Sequence, residues 1–194
     1  MRAGLVDVFG KLRLVEAIPF LDRALQEDCN RLAAEDALIA IGEPVREALI
    51  YSATPTLPAG DLESPSSVRR RQSALRVLAV TGIRGEDWPV LRPLLQEEDS
   101  EIVARTCVLA VNAGILDDRE AVIARLLAIS GTAPWFLQED IVDCLLARFE
   151  VARPAVEAEI ERRMKAPEAE RVRDQCLRLL LRVMRRARRE ASPL

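Results

Sequence analysis

One phrase is written twice, and it limits what this chain can fold into. "IPFLDRALQED" (18–28) and "WPVLRPLLQEED" (88–99) set an apolar residue, Pro, Leu, Leu, Gln and acids at matching places, seventy positions apart. Shorter echoes stand about half that distance apart. Gly82-Ile83 and Gly114-Ile115 are offset by 32, and at that offset Val90, Leu91, Leu94 and Leu95 fall on Val122, Ile123, Leu126 and Leu127. "LVDVFG", ending at Gly10, repeats as "ALIAIG", ending at Gly42. A fixed period of this size marks stacked structural repeats, each too small to bury its apolar face alone.

The repeated unit is helical. Leu32, Leu38 and Ile41 make one apolar stripe with Ala34 and Ala37 between them. Leu75 with Leu78 makes a second, and Val103, Cys107, Ala110 and Val111 a third. Ile141, Leu145 and Phe149 make a fourth, and Val172, Cys176, Leu180 and Val183 a fifth. Each is one-sided at the 3.6-residue period, and no alternating β-branched run appears. Proline suits a first helical turn, and Pro19, Pro44, Pro89 and Pro154 sit where first helices should open. Gly10, Gly42, Gly82 and Gly114 sit where helices should stop. First helices are expected near 15–26, 44–53, 87–97, 119–130 and 153–165. Second helices are expected near 30–41, 67–81, 100–113, 135–149 and 168–190. The reading is one all-α domain over 1–194, an α-solenoid of about five helical pairs.

"NRLAAEDALIAIG" (30–42) resembles the second helix of a HEAT-like repeat, in particular the short bacterial type also found in phycobilin lyases. "VRDQCLRLLLRV", from Val172, is similar in its opening. The resemblance implies an armadillo-like superhelix whose second helices line a concave binding face. It implies a protein-binding scaffold or adaptor and names no partner. The charged residues expected on that face are Arg31, Glu35, Arg69, Arg70, Arg105, Asp143, Arg148, Arg173 and Arg178. Solvated charges, or Arg–carboxylate pairs stitching neighbouring repeats, are the bland reading of the same residues.

Composition narrows the function. The chain has no His, which removes the usual neutral-pH general base and imidazole metal ligands. Cys29, Cys107, Cys144 and Cys176 are widely spaced, with no C-x-x-C, and read as four small buried side chains rather than a zinc site. The expectation is a protein that is not an enzyme and needs no cofactor. HEAT-like DNA glycosylases suggest an alternative, with Trp135 and Asp140 or Asp143 as a superficial match. A sequence pI near 5.3 argues against a nucleic-acid partner. A bilin-lyase-like cofactor chaperone is a further alternative, but one Tyr and no His offer little to hold a tetrapyrrole. Trp88 and Trp135 are expected to pack at helix starts.

No stretch reaches the ~18–20 apolar residues that cross a bilayer. The first residues lack the order of a signal peptide, so the chain reads as cytoplasmic. Charge is uneven: residues 86–161 carry 6 basic and 16 acidic side chains, and residues from 171 onward carry 8 and 2. The basic tail over 185–194 would complement a helix C-terminus. "SATPTLPAGDLESPSS" (52–67) contains Pro55, Pro58 and Pro65 and reads as a mobile insertion through which no helix can run. At the N-terminus, Leu5, Val6, Val8 and Phe9 crowd a short helix and cannot all face one neighbour. This end is expected to pack against a partner, a second copy of the chain or further repeats.

Overall fold

Helix after helix is cut to length by the residues at its ends. Asp99 accepts hydrogen bonds from the backbone N–H of Glu101 (2.9 Å) and Ile102 (3.0 Å). Ser64 accepts from Ser67 (3.2 Å) and Asp174 from Leu177 (3.0 Å). Each satisfies an N–H that has no partner inside its helix. At the other ends, Gly42 and Gly82 have φ of 81° and 89°, a conformation that a side chain resists. In a computed structural model, described over residues 2–55 and 63–191, the chain is all-helical, with no strand among the described residues. None of its described helices is long and apolar enough to cross a membrane.

The chain divides after Leu94 into two compact units. The first contains α1 (Arg2–Lys11), α2 (Ile18–Ala24), α3 (Arg31–Ile41), α4 (Arg46–Ala53), α5 (Pro65–Thr81) and the short α6 (Trp88–Leu91). Within it, α3 packs between α1 and α5, while α4 packs beside α2 and α6. The second contains α7 (Ser100–Asn112), α8 (Arg119–Ile129), α9 (Gln138–Ala147), α10 (Phe149–Met164), the short α11 (Glu168–Arg171) and α12 (Gln175–Glu190). Within it, α9 packs between α7 and α12, and α8 packs beside α10. Alternate helices therefore stand side by side in each unit, with the apolar stripes turned inward. Leu38, Leu75 and Leu78 of the first unit are wholly buried, as are Val103, Leu145 and Leu180 of the second.

The structure corrects several sequence expectations. Gly10 does not end α1, which runs on to Lys11. Its job is close approach, because a Cβ there would lie 2.8 Å from the Ala37 Cα of α3. Pro154 lies inside α10, since the helix already starts at Phe149. Pro65 opens α5 instead of breaking it. Leu32 is exposed because it sits about 200° around the helix from Ala34, off the inward line of Ala34, Ala37, Leu38 and Ile41. Val172 is exposed because a turn separates α11 from α12, so the expected helix over 168–190 is interrupted. Cys29 is exposed in the turn before α3, while Cys107, Cys144 and Cys176 are buried. Of the expected insertion over 52–67, residues 56–62 lie outside the described residues. The flanks are fastened: the Ser52 hydroxyl donates to Asp22 (2.5 Å), and Glu63 accepts from Ser67 (2.6 Å) and Arg71 (2.7 Å). Near the N-terminus Leu5 and Val8 are exposed, Val6 is buried, and Phe9 packs edge-on to Phe20 at 5.7 Å.

Candidate interaction surface

Most charged residues expected to face a partner are already occupied. Glu35 is buried on α3 and accepts from Arg76 of α5 at 2.9 and 3.0 Å. Arg69 lies 3.3 Å from Asp28, and Arg70 lies 3.9 Å from Asp22. Beside them Arg71, almost wholly buried, donates to the Ala53 carbonyl (3.0 Å) and to Glu63 (2.7 Å). Arg46 clasps Asp87 at 2.5 and 2.6 Å, which holds α4 to the turn before α6. In the second unit Arg105 of α7 binds Asp140 of α9 at 2.7 Å. Asp143 meets Arg186 at 2.9 Å, and Arg148 donates to the Val111 carbonyl at 3.4 Å. These contacts join one helix to the next. Arg31 is half-buried on α3. Among the nine, Arg173 and Arg178 are the exposed ones without a partner among the described residues.

Arg178 belongs to a larger constellation. On α12, Cys176, Leu177, Leu180, Val183 and Ala187 turn inward. Arg178, Arg182 and Arg185 follow at spacings of four and three, which places them along the opposite side. With Gln138 of α9, and Gln175 and Leu179 of α12, they line an open cleft of about 420 Å³. Gln175 is fixed by donating to the Ala133 carbonyl at 2.8 Å. Arg182 and Arg186 both bind Glu139, Arg186 at 2.6 Å, so one carboxylate orients two guanidinium groups. Trp135 and Phe136, in the turn leading into α9, lie edge-to-face at 6.1 Å, and Trp135 is 82% exposed. The expectation that Trp135 packs internally fails because it precedes α9 and misses its inward stripe; Trp88, by contrast, is buried.

The start of α12 is anchored electrostatically. Asp174 caps it and accepts both Arg163 contacts, at 2.8 and 2.7 Å. Burial pushes the Asp174 carboxyl up, but the Leu177 N–H and Arg163 outweigh this and hold it below the usual carboxylate range. Glu159 sits at about 2, held down chiefly by its hydrogen bond from Arg162 and also by Arg163. Burial pushes the Cys107 thiol up strongly, Cys144 to about 12 and Cys176 to about 11. These thiols stay protonated and unreactive at neutral pH. Among the described residues, no group of three His, Cys, Asp or Glu is arranged to hold a metal ion.

Sequence reasoning missed Arg182, Arg185, Gln138 and Gln175. The signal was present in the arginine spacing opposite the α12 apolar stripe, but the basic run reads equally well as a helix-end cap. Comparison with known proteins finds no matching family model, no matching curated protein and no matching solved structure.

Proposed function

We propose that this chain is a HEAT-like α-solenoid that works as a non-catalytic protein-binding module. Its docking surface is the α9–α12 side of the second unit, and it takes an acidic segment of a protein partner. What supports the solenoid reading is the side-by-side packing of alternate helices in each unit, together with the sequence period. The observation that carries the docking reading is the α12 arginine row. Arg178 and Arg185 are exposed beside Gln138, with no acid lining the cleft. Guanidinium groups bind carboxylates through paired N–H donors, and Arg and Trp are the residue types that dominate binding energy at interfaces. Trp135 gives the same end of α9 an apolar anchor.

The test is fluorescence anisotropy with a labelled Glu-rich peptide. Saturable binding that weakens with salt and is lost in Arg178→Glu supports the reading. Equal affinity of wild type and Arg178→Glu contradicts it.

A further inference from the structure

A second groove runs between α10 and α12, next to the Gln138 cleft and sharing Arg185 with it. Ile160, Leu181 and Met184 form its apolar floor. Glu157 and Glu161 stand on the α10 side, and Arg185 and Arg188 on the α12 side. Its volume is about 490 Å³. Arg163, near the end of α10, binds Asp174 at the start of α12, so the two helices run antiparallel. All four charged residues are exposed. Their present contacts are cheap to exchange: Glu157 pairs with Arg153 one turn away (2.9 Å), and Glu161 lies 3.8 Å from Lys165. Solvent-exposed pairs of this kind contribute little to stability.

An apolar floor between an acidic wall and a basic wall is complementary to itself. Two copies can face each other about a two-fold axis in two simple ways. With the axis across the helices, α10 meets α10 and acid meets acid. With the axis along the helices, α10 of each copy meets α12 of the other, so Glu157 and Glu161 oppose Arg185 and Arg188 twice over. Such reciprocal use of one patch is how two-fold dimers form.

We infer that the α10–α12 face binds a second copy of this chain, with the two-fold axis along the helices. Each helix has 16 residues, so the face is about 24 Å long and about 20 Å wide. About 480 Å² per copy lies at the low end of specific interfaces, so the dimer is weak and depends on concentration.

Sedimentation velocity of the full chain, from micromolar to millimolar, tests this. Wild type should move from monomer to dimer. Glu157→Arg with Glu161→Arg should raise the dissociation constant at least about tenfold, and so should Arg185→Glu with Arg188→Glu. Circular dichroism checks that each variant stays folded. An equal mixture of the two variants should re-associate as a mixed dimer, because both of its contacts then join opposite charges. Arg178→Glu, at a residue that lines the peptide-binding cleft but not this groove, should leave the dimer unchanged. A wild-type monomer throughout overturns the inference and leaves the groove to a different chain. A dimer that ignores both reversals, or one lost instead in Leu5→Asp with Val8→Asp, overturns it too. So does failure of the mixture to re-associate.

Discussion

Two helices carry dense runs of arginine, and they use them in opposite ways. On α5, Arg69, Arg70, Arg71 and Arg76 each meet an acid: Asp28, Asp22, Glu63 and Glu35. On α12, Arg182 and Arg186 share Glu139, while Arg178, Arg188 and Arg189 are exposed without partners among the described residues. The difference is not in the arginines. Asp22, Asp28, Glu35 and Glu63 give each of these α5 arginines an acid, whereas among the described residues α9 meets α12 with Glu139 and Asp143. A guanidinium that is half-buried and paired holds helices together. One that is exposed and unpaired is free to bind something else.

Several measurements can break or sharpen this contrast. The largest effect should come from the apolar contact that α5's neighbours depend on. Ala37 is buried on α3 where Gly10 brings α1 closest. In Ala37→Glu, an unpaired carboxylate should cost several kcal/mol, a large share of a typical ~5–15 kcal/mol total. Thermal denaturation should show the first unit melting early. Next comes Arg71→Met, which keeps the buried stem but removes the donor to Ala53 and Glu63. Breaking a buried pair from one side costs about 3–5 kcal/mol. If chemical denaturation shows less than about 1 kcal/mol, α5's arginines are ornament and the contrast fails.

A smaller effect concerns pH. Glu159 and Asp174 have depressed pKa values in the folded state. A depressed carboxyl contributes stability that is present above its unfolded pKa and is lost as pH falls through its folded one. For Glu159 the window runs from the ordinary carboxylate range down to about 2. Glu159→Gln should therefore flatten the acid limb of a stability-against-pH curve and lower the neutral-pH plateau. An unchanged acid limb would mean that Arg162 and Arg163 do not hold it in solution. The smallest effect is on reactivity: a thiol reagent should label Cys29 quickly under native conditions, and the three buried cysteines only on unfolding. Fast labelling of more than one thiol would show that the α7, α9 or α12 core opens readily.

Most of the helical pattern could be read from the sequence, because apolar spacing and helix-ending residues are local signals. Gly42 and Gly82 act as stops, and Pro19 and Pro89 as openings, as their chemistry demands. Gly10 and Pro154 were misleading because each depends on a distant fact: the first on the approach of α3, the second on how far α10 extends backwards. The candidate site was less legible. Sequence identifies Arg31, Glu35, Arg69, Arg70, Arg105 and Arg148 as charged residues, but it cannot say which group of a neighbouring helix each one meets. Arg178 is exposed, opposite the inward stripe of α12. Its neighbours Arg182 and Arg185 were hidden in a run that also suits a helix end, and Gln138 comes to them only through the packing of α9 on α12.

The central claim is that α12's unpaired arginines bind while α5's paired arginines hold the fold. It is tested most directly by one paired titration. A labelled Glu-rich peptide is titrated against wild type, Arg178→Glu and Arg76→Met, with the melting temperature of each recorded in the same buffer. The account predicts that Arg178→Glu abolishes peptide binding and leaves the melting temperature unchanged. It predicts that Arg76→Met lowers the melting temperature and binds the peptide as wild type does below that transition. The opposite assignment, with Arg178→Glu unstable and Arg76→Met deficient in binding, would contradict it, and so would a wild type that does not bind the peptide.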